Sequence, residues 1–234
     1  MLFVPTSELI ENFNKIVEEI KLELTEFQNE GKQIFATSSF QTNSIPLLHI
    51  IGQMERKIPV CFLNTGFHFP ETLAFRDKLE KEFNLKILNL SSAAPRSQQK
   101  DSLGRFFYTS EPDYCCHINK IAPLDPIMAS HDIWINGIRK GQSAVRAQMK
   151  KIEPAPQNVL RYHPMLEWTT KMVHDYIRVF NLPRHPLEGK GYMSIGCQPC
   201  THKISANDML DNRTGRWKGM NKTECGLHTK LVSK

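Results

Sequence analysis

The chain reads as an α/β protein built on a mainly parallel sheet with helices on its faces. Three observations predict this class: short apolar runs alternate with helical runs through the first half, polar loops fall at the ends of the apolar runs, and a long amphipathic helix opens the chain. Folds of this kind bind ligands at the carboxyl ends of their strands, where the strand order reverses.

The totals narrow the function. A chain of 234 residues buries one sizeable core, here expected as a single large α/β domain. Thirty Lys and Arg against 24 Asp and Glu give a net charge of +6, a surface that attracts anions. The basic residues are scattered with no long run, which suits a phosphorylated small molecule at least as well as nucleic acid. The opening residues lack the charged start and apolar core of a signal peptide, and no apolar run spans a bilayer, so a cytoplasmic protein is expected.

Ile10, Phe13, Val17, Ile20, Leu24 and Phe27 recur at alternating steps of three and four residues, predicting an amphipathic helix over 7–31 with Ser7 as N-cap and Gly31 as its stop. A strand over 33–37 then feeds the polar loop 38–44 and a helix over 45–56. Hydroxyls and backbone N–H groups at such a junction can converge on an anion; a plain polar turn with Ser44 as N-cap is the competing reading. The plan repeats with a strand over 60–63, the loop Asn64-Thr65-Gly66, a helix over 70–83 and a strand over 86–90.

Residues 91–114 read as irregular, with Pro112 able to start a short helix through Cys115 and Cys116. A strand over 133–137 leads to Arg139, Lys140 and Arg146, cations at a strand end that suit an oxyanion; solvated surface charge is the preferred reading for Lys140. Residues 151–156 read as a polar connection, 159–162 as a strand and 169–180 as a core helix, which leaves His163 and His174 without a role. Beyond Pro183, proline and glycine thin out regular structure.

Six cysteines in a reducing compartment point to metal or redox chemistry rather than disulfides. Cys61 lies in an apolar run and reads as a buried strand residue. Cys115-Cys116 and the Cys197-Gln198-Pro199-Cys200 pair supply four thiolates. Zinc accepts a Cys-x-x-Cys pair, but adjacent cysteines fit it poorly, and stoichiometry favours an iron–sulfur cluster. Lys120, one helical turn past Cys116, would set a cation between an anionic cluster and an anionic substrate. Cys225, flanked by Lys222 and His228, is placed like a reactive thiol; an ordinary exposed thiol in a frayed tail is the competing reading, and the preferred one for this stretch taken alone.

Several blocks together resemble the assimilatory sulfonucleotide reductases: Ser38-Ser39-Phe40 with Ser44; Asn64-Thr65-Gly66 with Phe69-Pro70-Glu71-Thr72; Cys115-Cys116 with Lys120; and Trp134-Ile135-Asn136-Gly137-Ile138-Arg139. Gly191 through Cys200, Arg213-Thr214-Gly215-Arg216-Trp217 and Glu224-Cys225-Gly226-Leu227-His228 complete the set, and the last two are the most specific. The resemblance runs from about residue 34 to 228 and implies a Rossmann-like adenine-nucleotide fold of the PP-loop type. It further implies reduction of adenosine 5'-phosphosulfate to sulfite and AMP, with thioredoxin or glutaredoxin as reductant. Members with both cysteine pairs carry a 4Fe-4S cluster and mostly take the unphosphorylated nucleotide; reduction of the 3'-phosphorylated one is the alternative, and a PP-loop enzyme of tRNA sulfur transfer a more distant one.

Carried over by position, Cys225 is the nucleophile, and Cys115, Cys116, Cys197 and Cys200 hold the cluster. Ser38, Ser39, Phe40, Ser44, Lys120, Arg139, Arg146, Arg213, Arg216 and His228 contact substrate. Residues 1–210 would form the nucleotide- and cluster-binding domain and 211–234 an arginine loop with a mobile catalytic tail; a homo-oligomer is compatible with this reading. Two positions depart from the family pattern: Asn64 stands where aspartate is common, and Gln41, where glycine is frequent, is expected to point out of its loop.

Overall fold

The computed structural model describes residues 3–204, 215–220, 222 and 227. Helix α1 spans Ser7–Asn29 and buries Phe13, Val17, Ile20 and Leu24 along one stripe. Its N-cap is Thr6 rather than Ser7: the Thr6 hydroxyl accepts from the Leu9 N–H at 3.2 Å, satisfying one of the first-turn donors. At the other end Gly31 takes φ 77°, a left-handed turn that glycine adopts without strain.

Six strands form one sheet: β1 Ile34–Thr37, β2 Pro59–Leu63, β3 Lys86–Leu90, β4 Ile133–Asn136, β5 Ile152–Pro154 and β6 Leu160–Tyr162. Their order is β3-β2-β1-β4-β6-β5, parallel except for β5, which runs antiparallel to β6 at the edge. The sheet grows outward from β1 in both directions, so the switch point lies between β1 and β4, where Thr37 is in register with Asn136.

Strand periodicity divides the core into two layers. Ile34, Ala36, Val60, Phe62, Ile133 and Ile135 face one side and pack with α1, α2 (Ile45–Gly52), α3 (Pro70–Glu82) and α8 (Thr170–Val179). The intervening Phe35, Cys61, Leu63 and Trp134 face the other side with Ile121, Leu124 and Met128. Between β3 and β4 lie α4 (Phe107–Ser110), α5 (Pro112–Cys116), a π-helical turn over His117–Ile121 and α6 (Ala122–Ala129); α7 (Ala144–Ala147) follows β4.

Three elements differ from expectation. Helix α6 was not anticipated, because Pro126 inside it removes a helical donor. Burial of Leu124 and Met128, both 0% exposed, offsets that loss. Strand β5 lies in the stretch read as a polar connection; at a sheet edge Pro154 needs no ladder donor. Lys120 sits in the π-turn, not on a regular α-helical turn after Cys116. The division at residue 210 lies outside the described residues. No helix among the described residues is long and apolar enough to cross a membrane.

Candidate active site

A cleft of about 170 Å³ opens over the carboxyl ends of β1, β2 and β4. Its walls carry Ser38, Ser39 and Ser44 from the loop after β1, and Arg139 and Arg146 from the segment after β4. Lys120 and Arg216 reach it from more distant segments. Seven of the ten expected substrate contacts therefore converge at the switch point, although they span 179 positions from Ser38 to Arg216.

The loop is shaped by its own polar atoms. Ser38 Oγ accepts from the Phe40 N–H at 3.0 Å, and Ser39 Oγ lies 3.5 Å from Ser44 Oγ. Ser44 occupies the N-cap position of α2 without a side-chain cap bond, which leaves its hydroxyl on the cleft wall. Phe40 is the exception among the loop residues expected to meet substrate. At φ 55° its ring turns into the core, fully buried and edge-on to Phe62 at 5.6 Å, so its side chain does not line the cleft. Gln41 is the converse: it points inward, and its Oε1 accepts from the Ile195 N–H at 3.1 Å, tying the loop to the segment before Cys197.

Among the described residues, Arg139 after β4 is held by neutral partners. Arg139 is 2% exposed and donates to Thr170 Oγ1 at 3.3 Å and Asn43 Oδ1 at 3.1 Å, both neutral partners. Gln142 Oε1 accepts from the Arg139 backbone N–H at 3.1 Å and also from Arg146 Nη1, joining the two arginines. Burial, and then the Arg146 charge, bring Arg139 down to about 10, still protonated at neutral pH. Asn43 and Gln142 were missed in the sequence because a neutral amide carries no motif of its own.

Polar groups also lie in the floor. His163, read as having no role, is fully buried, with Nδ1 2.6 Å from Asn136 Oδ1 and Nε2 3.4 Å from Glu153 Oε1. His68 is held down at about 4 by burial and is neutral, so its Nε2 carries the proton donated to the Leu63 carbonyl at 2.8 Å. Its Nδ1 is left as a buried acceptor without a hydrogen bond among the described residues.

Cys115, Cys116, Cys197 and Cys200 line one neighbouring cavity, closed by Thr65, Phe67 and Trp217. Cys115 is pushed up to about 11 by burial and then by the charges of Cys197 and Cys200. Thr65 Oγ1 lies 3.3 Å from Cys197 Sγ, and Asn119 Nδ2 lies 3.6 Å from Cys115 Sγ. Among the described residues no group of three or more His, Cys, Asp or Glu is arranged to hold a single metal ion. Four thiols around one cavity remain a donor set suited to a larger, multi-iron group, whose sulfur ligands stand further apart. Lys120, Cys197 and Arg216 line both this cavity and the cleft, so the two share a wall.

Arg216 is held by its Nε–H, which donates to the Cys200 carbonyl at 3.1 Å, and its guanidinium lies flat against Gly196. A Cβ at residue 196 would stand 2.4 Å from Arg216 Nη1. Because that atom ends a flexible side chain, Gly196→Ala is expected to keep the fold while displacing the guanidinium. Nucleotide affinity should fall about 10- to 100-fold, the worth of one charge-assisted hydrogen bond. Calorimetric titration with AMP, beside an unchanged thermal melt, checks this. Cys225, Arg213 and His228 lie outside the described residues.

Comparison with known proteins agrees with the geometry. Residues 33–203 match the phosphoadenosine phosphosulfate reductase domain. The adenosine 5'-phosphosulfate reductase of Chelativorans sp. (strain BNC1) is 36% identical over 211 residues, covering 89% of this chain and 84% of that one. The phosphoadenosine 5'-phosphosulfate reductase of Gloeobacter violaceus is 36% identical over 200 residues, covering 85% and 83%. In fold, the chain resembles the phosphoadenylyl-sulfate reductase of Candida auris, solved as a phosphate complex, with a TM-score of 0.66 at 20% identity over 85% of this chain and 98% of that one. A mostly parallel six-stranded sheet, a cation-lined cleft at its switch point and a sequence match over residues 33–203 place this chain in the phosphoadenosine phosphosulfate reductase domain family.

Proposed function

We propose that this protein reduces adenosine 5'-phosphosulfate to sulfite and AMP, with thioredoxin or glutaredoxin as the reductant. The observation that carries the proposal is the shared wall between a cation-lined cleft at the switch point and a four-cysteine cavity. Relatives named for this activity span most of the chain. The reaction belongs to sulfate assimilation in the cytoplasm, where a reducing environment suits the free cysteines.

In this reading Phe62, Leu63 and His68 form the wall for the adenine, and the hydroxyls of Ser38, Ser39 and Ser44 meet the phosphate. Lys120, Arg139, Arg146 and Arg216 face the phosphate and sulfonyl oxygens, where charge must be neutralised for a thiolate to approach. Arg213 and His228 add to this group, and Arg213 and Arg216, three residues apart, suit paired oxyanion contacts. The Cys225 thiolate attacks sulfur, the bond from sulfur to the bridging phosphate oxygen breaks, and AMP leaves with that oxygen. A thioredoxin thiolate then attacks the Cys225 sulfur, sulfite departs, and the second thiol of the reductant resolves the mixed disulfide. Both electrons come from the dithiol.

Cys115, Cys116, Cys197 and Cys200 would hold a 4Fe-4S cluster, which supplies structural support and a local field beside the cleft. With residues 211–234 as the catalytic tail, the protein divides functionally into a binding domain and a thiol carrier. Reduction of the 3'-phosphorylated nucleotide is the second reading, favoured by the Gloeobacter relative's name at the same identity. Incubation with 35S-labelled adenosine 5'-phosphosulfate without reductant is expected to leave a sulfonate adduct on Cys225, located by peptide mass. No adduct with either nucleotide would overturn the mechanism, and labelling by the 3'-phosphorylated nucleotide alone would establish the second reading.

A further inference from the structure

Arg161 stands in the middle of β6 and is fully buried, its guanidinium carbon 4.5 Å over the ring of Trp134. A cation taken out of water needs a partner. Its nearest carboxylate, Glu153 across the strand pair, is 3.9 Å from Nη1 and also faces His163 at 3.4 Å. Among the described residues Nε and Nη1 carry no hydrogen bond. Among the described residues the Arg161 guanidinium makes one hydrogen bond, from Nη2 to the Leu227 carbonyl at 2.7 Å, across 66 positions of sequence.

Leu227 is itself seated. It is 8% exposed and packs in the second core layer with Leu63, Ile121, Trp134 and Val159, while also lining the edge of the cleft. A backbone carbonyl gripped by a buried guanidinium and a leucine sunk in an apolar socket fix this point of the chain by two independent forces. Cys225 is two residues away, and two residues span at most about 7 Å.

We propose that Arg161 is a positioning residue whose bond to the Leu227 carbonyl, with the Leu227 side chain in its socket, latches the C-terminal chain to the sheet and holds Cys225 at the cleft. This rests on the reading of Cys225 as the nucleophile. Undocking strips Arg161 of its hydrogen bond and exposes Leu227, so the docked arrangement is favoured and the reductant must compete with the latch to draw the thiosulfonate out.

The test uses the full chain with Arg161→Met, Leu227→Ala and the double substitution. The Arg161→Met variant is expected to bind AMP as the parent does yet form the Cys225 sulfonate adduct at least about tenfold more slowly, the cost of a misplaced reacting group. Trypsin cleavage after Lys222 should accelerate in both single variants, and the double variant should be no slower in adduct formation than the slower single one, because both substitutions open one latch. Parental rates of adduct formation and cleavage in Leu227→Ala would overturn the proposal. So would a loss of AMP affinity in Arg161→Met as large as its loss of adduct formation. If the parent takes no label at Cys225, the nucleophile reading fails on its own, and faster cleavage after Lys222 in the variants still reports the latch.

Discussion

Replacing Cys225 with serine is expected to abolish sulfite formation, by roughly 10⁴-fold or more, while AMP affinity stays at the parental level. Loss of a nucleophile removes the reacting electron pair itself rather than one of several supporting interactions. A serine hydroxyl remains protonated at neutral pH, whereas an ordinary cysteine thiol, with a pKa of about 8.5, supplies thiolate far more readily. The four cysteines of the neighbouring cavity do not substitute for it. Cys200 is buried and Cys115 half-buried, and desolvation raises both thiols, so neither offers a free thiolate to the cleft. Sulfite release is measured with labelled nucleotide and reduced thioredoxin, and AMP binding by calorimetry. Retained turnover in the serine variant would remove Cys225 from the mechanism.

Arg139→Met is expected to separate binding from stability. The guanidinium is almost wholly buried, hydrogen-bonded to neutral Asn43 and Thr170, and has no carboxylate partner among the described residues. In the proposed reading the substrate oxyanion supplies the counter-charge this arrangement lacks, so methionine should cost about 2–5 kcal/mol of nucleotide binding, seen as a rise in KM and in the Kd for AMP. Removing a buried cation that sits beside Arg146 should at the same time leave the ligand-free protein as stable or more so, because its desolvation is no longer opposed to folding. Arg139→Lys keeps a charge but not the planar fork that reaches Asn43 and Thr170 together, and should recover only part of the affinity. A thermal melt and an AMP titration on the same preparations decide it: a fall in melting temperature with unchanged affinity would make Arg139 a structural residue.

The elements that could be read from sequence are those whose signal is local. The period of Phe13, Val17, Ile20 and Leu24 belongs to one helix, and the alternation of Ile34, Phe35 and Ala36 belongs to one strand. Helix α6 was hidden because Pro126 is locally unfavourable and only the packing of Leu124 and Met128 rescues it. Strand β5 was hidden for a related reason: three residues ending in proline become a strand only when Tyr162, Arg161 and Leu160 are there to pair with them. The inward turn of Gln41 depends on the Ile195 N–H, 154 positions away.

The candidate site divides along the same line. Residue chemistry pointed to the hydroxyl loop, the cations after β4, Lys120 and the cysteine pairs, because charge, thiol spacing and placement after an apolar run are properties of short stretches; it left a plain polar turn open at the loop, and the family resemblance supplied Arg213, Arg216 and His228. Only the tertiary structure decided that Phe40 leaves the site for the core while Gln41 enters it, and that Asn43 and Gln142 hold the arginines. It also decided that the cleft and the cysteine cavity share Lys120 and Arg216, and that Arg161 grips Leu227. The physical reason is that a side chain's type is encoded where it stands, whereas its partner is set by chain closure over tens to hundreds of residues. A buried hydrogen bond can be assigned only when both ends are in place.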